Sequence, residues 1–177
     1  CKVAAVLARI HGAPAGTKGL SLFLVPWKKN DGTSNQIHIR RLKDKLGVRA
    51  VPSAEVELNG AEAFLIGDPS RGFYYMMEAL NLSRISNAIA SAGIMRRAYI
   101  EAKGYAEQRI AFGKKLTESP MIQETLCKMA VRQEVQTSAC FELIQLFDKV
   151  VREKTSTDEE KMLTRLFIAL LKAKTAE

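Results

Sequence analysis

Residues 72–93, GFYYMMEALNLSRISNAIASAG, decide the fold of this chain. Leu82, Ile85, Ile89 and Ala92 return there at steps of three and four, the spacing that lines up side chains on one face of an α-helix. From Gly72 onward glycine and proline become rare inside the long patterns, and the spacing predicts one helix over about residues 71–109. Gly93 interrupts that pattern, and close packing of a second helix is the expected reason.

Upstream, to about residue 68, short β-branched and aromatic runs alternate with turn formers, which is strand spacing. Val3–Ala8 reads as one strand, a turn follows around HGAPAGTKG, and Leu20–Val25 reads as a second before Pro26 and the NDGTSN loop at 30–35. Asn30, Asp31 and Gly32 are turn chemistry. Gln36–Leu42 alternates around Ile37 and Ile39, Ser53–Leu58 puts Val56 and Leu58 on one face, and Ala63–Ile66 is a fifth candidate. Strands without intervening helices imply an antiparallel sheet or partial barrel.

Downstream, Gly113 and Pro120 bracket a short connection. Leu126, Met129, Cys140, Leu143, Phe147 and Val150 then share one face of a second long helix. A third starts near TSTDEE, where Thr157 and Glu160 have capping-box spacing, and Leu163, Leu166, Phe167 and Leu170 are its expected buried stripe. The class is therefore α+β, a small antiparallel β-sheet or partial barrel over residues 1–70 followed by a bundle of long antiparallel α-helices over residues 71–177. Met76, Met77, Met95, Met121, Met129 and Met162 read as core filler.

A chain of 177 residues buries a substantial core without staples. Cys1, Cys127 and Cys140 are odd in number with no pair at ligand spacing, which argues against a zinc site or a disulfide scaffold and for a reducing, cytoplasmic setting. No apolar stretch reaches the roughly 20 residues that cross a bilayer, and the start has no signal-peptide pattern. The chain opens on the apolar run Val3–Leu7 and closes inside a helical pattern, so an internal piece of a longer polypeptide is expected. With 27 basic and 19 acidic residues, the net charge of +8 favours anionic partners without choosing among phosphorylated cofactors, nucleic acid and acidic surfaces. His11 and His38 have no acidic or cysteine cluster around them in sequence and read as surface histidines, so no metal site is expected.

Between the first two helices lies QRIAFG, residues 108–113. A guanidinium presents five donors in a rigid plane that matches phosphate oxygens, so Arg109 beside Phe112 and Gly113 is a candidate anion clamp. Arg109 also suits the C-terminal end of a helix, where the macrodipole favours a cation by some tenths of a kcal/mol, and Phe112 also suits a core position.

The segments KLGVRAVPSAEVEL, GFYYMMEALNLSRI and YAEQRIAFGKKL, in this order after KGLSLFLVP at 18–26, resemble the acyl-CoA dehydrogenase family across nearly the whole chain. The matching elements are Lys45, Gly47 and Arg49, then Gly72 and Phe73, then Arg84 and the turn at 108–113. RLKDKLG, MRRAY and Pro120 look most like its AidB-type branch, linked to the bacterial response to alkylation damage. Most relatives carry, where Pro120 stands, a glutamine that helps hold the flavin's adenosine portion, so that contact is open here.

The resemblance implies FAD as cofactor, an acyl-CoA thioester as substrate, an electron-transfer flavoprotein-type acceptor and a homo-oligomer, dimer or tetramer. It implies that Arg109 contacts the FAD pyrophosphate of a neighbouring subunit, with Ala111 and Phe112 completing the turn, and that Ser53, with Arg49, lies in a loop near flavin and thioester. Asn81, Ser83 and Arg84 match the stretch lining the acyl-CoA pocket. Arg84 is expected to be buried and to need an acid, either on a facing helix or beyond residue 177, or else to form a structural salt bridge. Some relatives place the catalytic glutamate where this chain has Ser83, and most place it past the equivalent of Glu177; Glu78, six residues before Arg84, points away on a regular helix. No catalytic residue is therefore named within the chain. The alternative is an AidB-like flavoprotein with weak dehydrogenation, its basic surface binding DNA.

Overall fold

The computed structural model describes residues 2–153 and 156–176. Cys1, Thr155 at the start of the TSTDEE run, and Glu177 lie outside the described residues.

Three strands form one antiparallel sheet in the order β1 (Val3–Arg9), β2 (Leu20–Pro26), β5 (Phe64–Ile66). β2 is central, pairing Val6 with Phe23 on one side and Leu65 with Phe23 on the other. A second antiparallel sheet holds only β3 (Ile37–Leu42) and β4 (Ala54–Leu58), with a register shift between Ile39 and Arg41. The five expected strands are all present. Val56 and Leu58 remain 50% and 41% exposed, so the apolar alternation marks a strand without marking a covered face.

Asn35 pins this unit. Its amide donates to the carbonyls of Pro26 at 2.7 Å and Glu62 at 2.8 Å, and its Oδ1 accepts from the Glu62 N–H at 2.8 Å. The side chain is fully buried and its bonds tie the end of β2 to the segment before β5. By its sequence Asn35 belongs to the NDGTSN loop, where Asp31 and Thr33 make a local turn through a 2.9 Å N–H to carboxylate bond.

The first long helix, α1 (Gly72–Gln108), is seated by that sheet. A Cβ on Gly72 would lie 2.2 Å from the Leu22 nitrogen, so only glycine lets the helix start against β2. Ser21 Oγ donates to the Pro69 carbonyl at 2.8 Å, and Asp68 accepts from the Ser70 N–H and hydroxyl at 2.7 and 2.6 Å, turning the chain into the helix. The compact units accordingly divide inside α1, as Cys1–Glu78 and Ala79–Glu177, with the first turns of the helix belonging to the β unit.

In the helical unit α1 runs on to Gln108, α2 spans Pro120–Arg152 and α3 spans Asp158–Lys174. Ile85, Leu143 and Ile168 form the buried centre, extended by Ala88, Ala92 and Cys140, with Ile144, Phe147, Phe167 and Leu171 packed around them. The small residues on α1 bring the helices close, while Leu143 fills the space between them. Thr157 caps α3, accepting from the Glu160 N–H while the Glu160 carboxylate takes the Thr157 N–H at 2.9 Å, as the spacing predicted.

Four expectations about faces are corrected. Leu82 and Ile89 are 58% and 40% exposed, because α1 turns its Ile85–Ala88–Ala92 edge inward. On α3 the buried positions are Thr164 and Ile168; Leu163, Leu166 and Leu170 face outward, because the helix is apolar around more than one side and α2 covers only one. Gly93 meets nothing that a Cβ would touch, so it does not mark close packing. Met121 and Met162 are exposed rather than core. No helix among the described residues is long and apolar enough to cross a membrane.

Candidate functional site

The turn between α1 and α2 is a small hairpin of β6 (Ile110–Ala111) and β7 (Lys114–Lys115). Its two central residues, Phe112 and Gly113, have φ of 52° and 77°. Both values are positive, as a mirror-image hairpin turn requires, and asparagine before glycine is the usual solution. Phenylalanine in this conformation stores strain, and its ring is entirely exposed rather than in the core. Arg109 sits at the base of the hairpin, its N–H bonded to the Tyr105 carbonyl at 2.9 Å and its carbonyl to the Leu116 N–H at 3.0 Å. The main chain is therefore fixed while the exposed guanidinium makes no hydrogen bond or ion pair among the described residues. Ala111 is half-buried. Beyond the hairpin α2 starts at Pro120, and the Gln123 side-chain amide donates to the Thr117 carbonyl at 2.8 Å.

On α1, Asn81 and Arg84 are joined: Arg84 Nη1 donates to Asn81 Oδ1 at 3.0 Å. Both are half-buried. Among the described residues no carboxylate on a facing helix reaches Arg84, which meets a neutral amide one turn away; the other expected source, an acid beyond residue 177, lies outside this chain. A neutral partner satisfies one of the five donors and leaves the positive charge uncompensated. Ser83 is exposed, and its carbonyl accepts from Asn87 Nδ2 at 3.0 Å. Glu78 is exposed as well.

In the β unit, the connection from β3 to β4 is stitched by its own side chains. Lys45 Nζ donates to the Val51 carbonyl and, at 3.1 Å, to Ser53 Oγ. Arg49 Nε donates to the Lys45 carbonyl at 2.7 Å, and its Nη2 lies 3.5 Å from Asp44 Oδ1. Val48 holds φ of 54°, a left-handed conformation that β-branched residues avoid. Arg49 and Ser53 thus belong to one structured loop rather than to an open turn and a free surface cation. Lys45, its keystone, carried no assigned role beyond its place in a motif; the polar partner eight residues on at Ser53 was the available signal. His11 and His38 are exposed.

The acyl-CoA dehydrogenase C-terminal domain family matches residues 70–177, starting where the chain turns into α1. The chain belongs to the acyl-CoA dehydrogenase family. It is similar to acyl-CoA dehydrogenase family member 11 of Caenorhabditis elegans, 40% identical over 174 residues that cover 96% of this chain and 28% of that protein. AidB of Escherichia coli K12 is also a relative, 37% identical over 149 residues that cover 84% of this chain and 27% of that protein. Among solved structures, Caenorhabditis elegans ACDH-11 in complex with C11-CoA superposes with a TM-score of 0.87 at 39% identity, over 98% of this chain and 30% of that one. The chain therefore spans less than a third of the length of these relatives. Acyl-CoA dehydrogenases are FAD-dependent flavoproteins.

Three features of this chain suit such a cofactor. The α1–α2 corner offers a guanidinium without a partner among the described residues and an exposed ring beside it, a donor set for a diphosphate next to a stacking surface. The Asn81–Arg84 pair offers an uncompensated cation and amide donors on α1. The β3–β4 loop offers a hydroxyl held in place by an ammonium.

Proposed function

We propose that this chain is part of an FAD-dependent acyl-CoA dehydrogenase that carries out α,β-dehydrogenation of acyl-CoA thioesters in the cytoplasm, within a homo-oligomer. Arg109 is the residue that would hold the FAD pyrophosphate, contributed across a subunit boundary, with Ala111 and Phe112 shaping the turn against it. Bound FAD supplies a hydride acceptor, so that an acyl-CoA can lose a β-hydrogen as hydride while a carboxylate takes the α-proton. Within this chain, Asn81, Ser83 and Arg84 would line the acyl-CoA pocket and Ser53 would approach the flavin. Ser83 cannot serve as the base unaided, since a serine hydroxyl needs a neighbouring proton acceptor, and no residue of this chain is assigned as the carboxylate. The captured C11-CoA in the solved relative supports an acyl-CoA substrate class. An electron-transfer flavoprotein-type carrier is the proposed acceptor.

One observation carries this reading above the others: the backbone spends strain at Phe112 to place an unpaired guanidinium and a bare ring at one corner. A surface cation at a helix end needs no such arrangement. The DNA-associated alternative rests on the net charge of +8; among its basic residues, Arg40 pairs with Glu57, Arg41 with Glu55 at 2.7 Å, and Lys45 is engaged by Val51 and Ser53.

The test is FAD retention by the assembled protein. The wild type should show flavin absorbance after reconstitution, and Arg109→Ala should weaken FAD binding by roughly 10- to 100-fold, the size of one or two charge-assisted hydrogen bonds. An Arg109→Ala protein that binds FAD as tightly as wild type removes the corner from the cofactor site, and a wild type that binds no flavin removes the reading altogether.

A further inference from the structure

We propose that Lys45 is a positioning residue that turns the Ser53 hydroxyl into a fixed hydrogen-bond donor toward an acceptor atom of the flavin ring. The inference rests on the function proposed above.

The direction of the Lys45–Ser53 contact follows from chemistry. An ammonium has three protons and no lone pair, so in the 3.1 Å contact Lys45 Nζ donates and Ser53 Oγ accepts. The serine proton must then lie away from Lys45. A free serine rotates among donor and acceptor orientations; in this one Lys45 occupies one of the two acceptor lone pairs, which turns the O–H away from the ammonium. Ser53 is half-buried just before β4, so water competes with Lys45 from only part of the sphere.

Lys45 is itself held. Its ammonium also donates to the Val51 carbonyl, and its own carbonyl accepts from Arg49 Nε at 2.7 Å. Arg49 reaches on to Asp44 at 3.5 Å. The loop ends are closed by the Lys43 N–H on the Ser53 carbonyl at 2.8 Å, and its middle by the Val51 N–H on the Val48 carbonyl at 3.2 Å. Val48 remains in the left-handed region because these bonds over-determine its position. The arrangement delivers one oriented O–H, and the flavin ring carries carbonyl oxygens and ring nitrogens that accept such a bond.

A double-mutant cycle on the FAD-loaded holoenzyme tests this, read by the flavin absorption spectrum and by the oxidised-to-reduced ratio at equilibrium with a reference dye. Ser53→Ala and Lys45→Met should each shift the spectrum in the same direction and change the ratio by about three- to tenfold, the size of one neutral hydrogen bond. The decisive arm is the double variant. If Lys45 acts through Ser53, Lys45→Met in the Ser53→Ala background adds nothing. A full Lys45→Met effect in that background means that the lysine charge acts on the flavin directly and overturns the proposal. An unchanged spectrum in Ser53→Ala does the same, while leaving FAD binding at Arg109 intact as a separate result. Lys45→Arg, which keeps a donor, should restore part of the wild-type spectrum; if it matches Lys45→Met although both variants melt as the wild type does, the proposal fails.

Discussion

In the β unit the buried positions include Asn35 and Ser21, whose polar atoms bond main-chain groups, whereas the helical unit is centred on Ile85, Leu143 and Ile168. The functional parts of the two units differ in the same way. The loop over residues 43–53 is tied by Lys45, Arg49 and Asp44, while the corner at residues 109–113 leaves Arg109 and Phe112 without side-chain partners among the described residues. Directional bonds define where an atom sits, so a unit built on them suits aiming a single hydroxyl. A helix corner supported by its main chain can hold a guanidinium outward for a ligand of opposite charge.

The contrast is sharpest at Asn35. Asn35→Ala strips partners from the Glu62 N–H and from the Pro26 and Glu62 carbonyls, and should cost roughly 3–5 kcal/mol in denaturant unfolding. If it costs less than about 1 kcal/mol, the β unit is held by apolar packing after all. Leu143→Ala should cost about 2–4 kcal/mol through the cavity it leaves between the helices, and a residual cost near zero would mean that the bundle collapses into the space.

Phe112→Asn probes the corner with the opposite sign. Asparagine tolerates the left-handed conformation, so the variant should melt higher, a gain of about 1 kcal/mol, while FAD binds more weakly. Such a pairing of greater stability with weaker binding is expected where a strained residue is kept for function. A variant that is neither more stable nor weaker in binding would show the corner to be ordinary surface.

The smallest expected effect is on α3. Hydrogen bonding to Lys149, first, and then to the Thr157 N–H holds the Glu160 carboxyl below the usual carboxylate range. A depressed carboxyl contributes stability at neutral pH that is lost as pH falls through its folded value, so the start of α3 should loosen in acid. Hydrogen exchange at Lys161 and Met162 should rise below the ordinary carboxylate range, and Lys149→Met should move that onset to higher pH. The same onset in both proteins would remove Lys149 as the cause.

Element types were legible because their causes are local. The steps of three and four from Leu82 to Ala92, the Thr157–Glu160 cap, the Gly113 turn and the Pro120 start each follow from a few neighbouring residues, and the elements they mark stand where they were expected. Ordered motifs likewise identified the family, and the candidate residues fall into three local groups, Ser53 with Lys45, Asn81 with Arg84 and Arg109 with Phe112. Facing was less legible. Periodicity on α3 offers both a Leu163–Leu166–Leu170 edge and a Thr164–Ile168–Leu171 edge, and it does not say which one α2 covers.

From residues alone came the elements, their order, the α+β class, the family and the chemical type of each candidate group. Tertiary structure alone decided that Asn35 is a buried pin and that Phe112 stands in solvent, while Arg84 with Asn81 and Lys45 with Ser53 are short-range partners. The reason is physical: helical period, caps and turns are set by bonds spanning a few residues, whereas burial and long-range partnership depend on which distant segments meet.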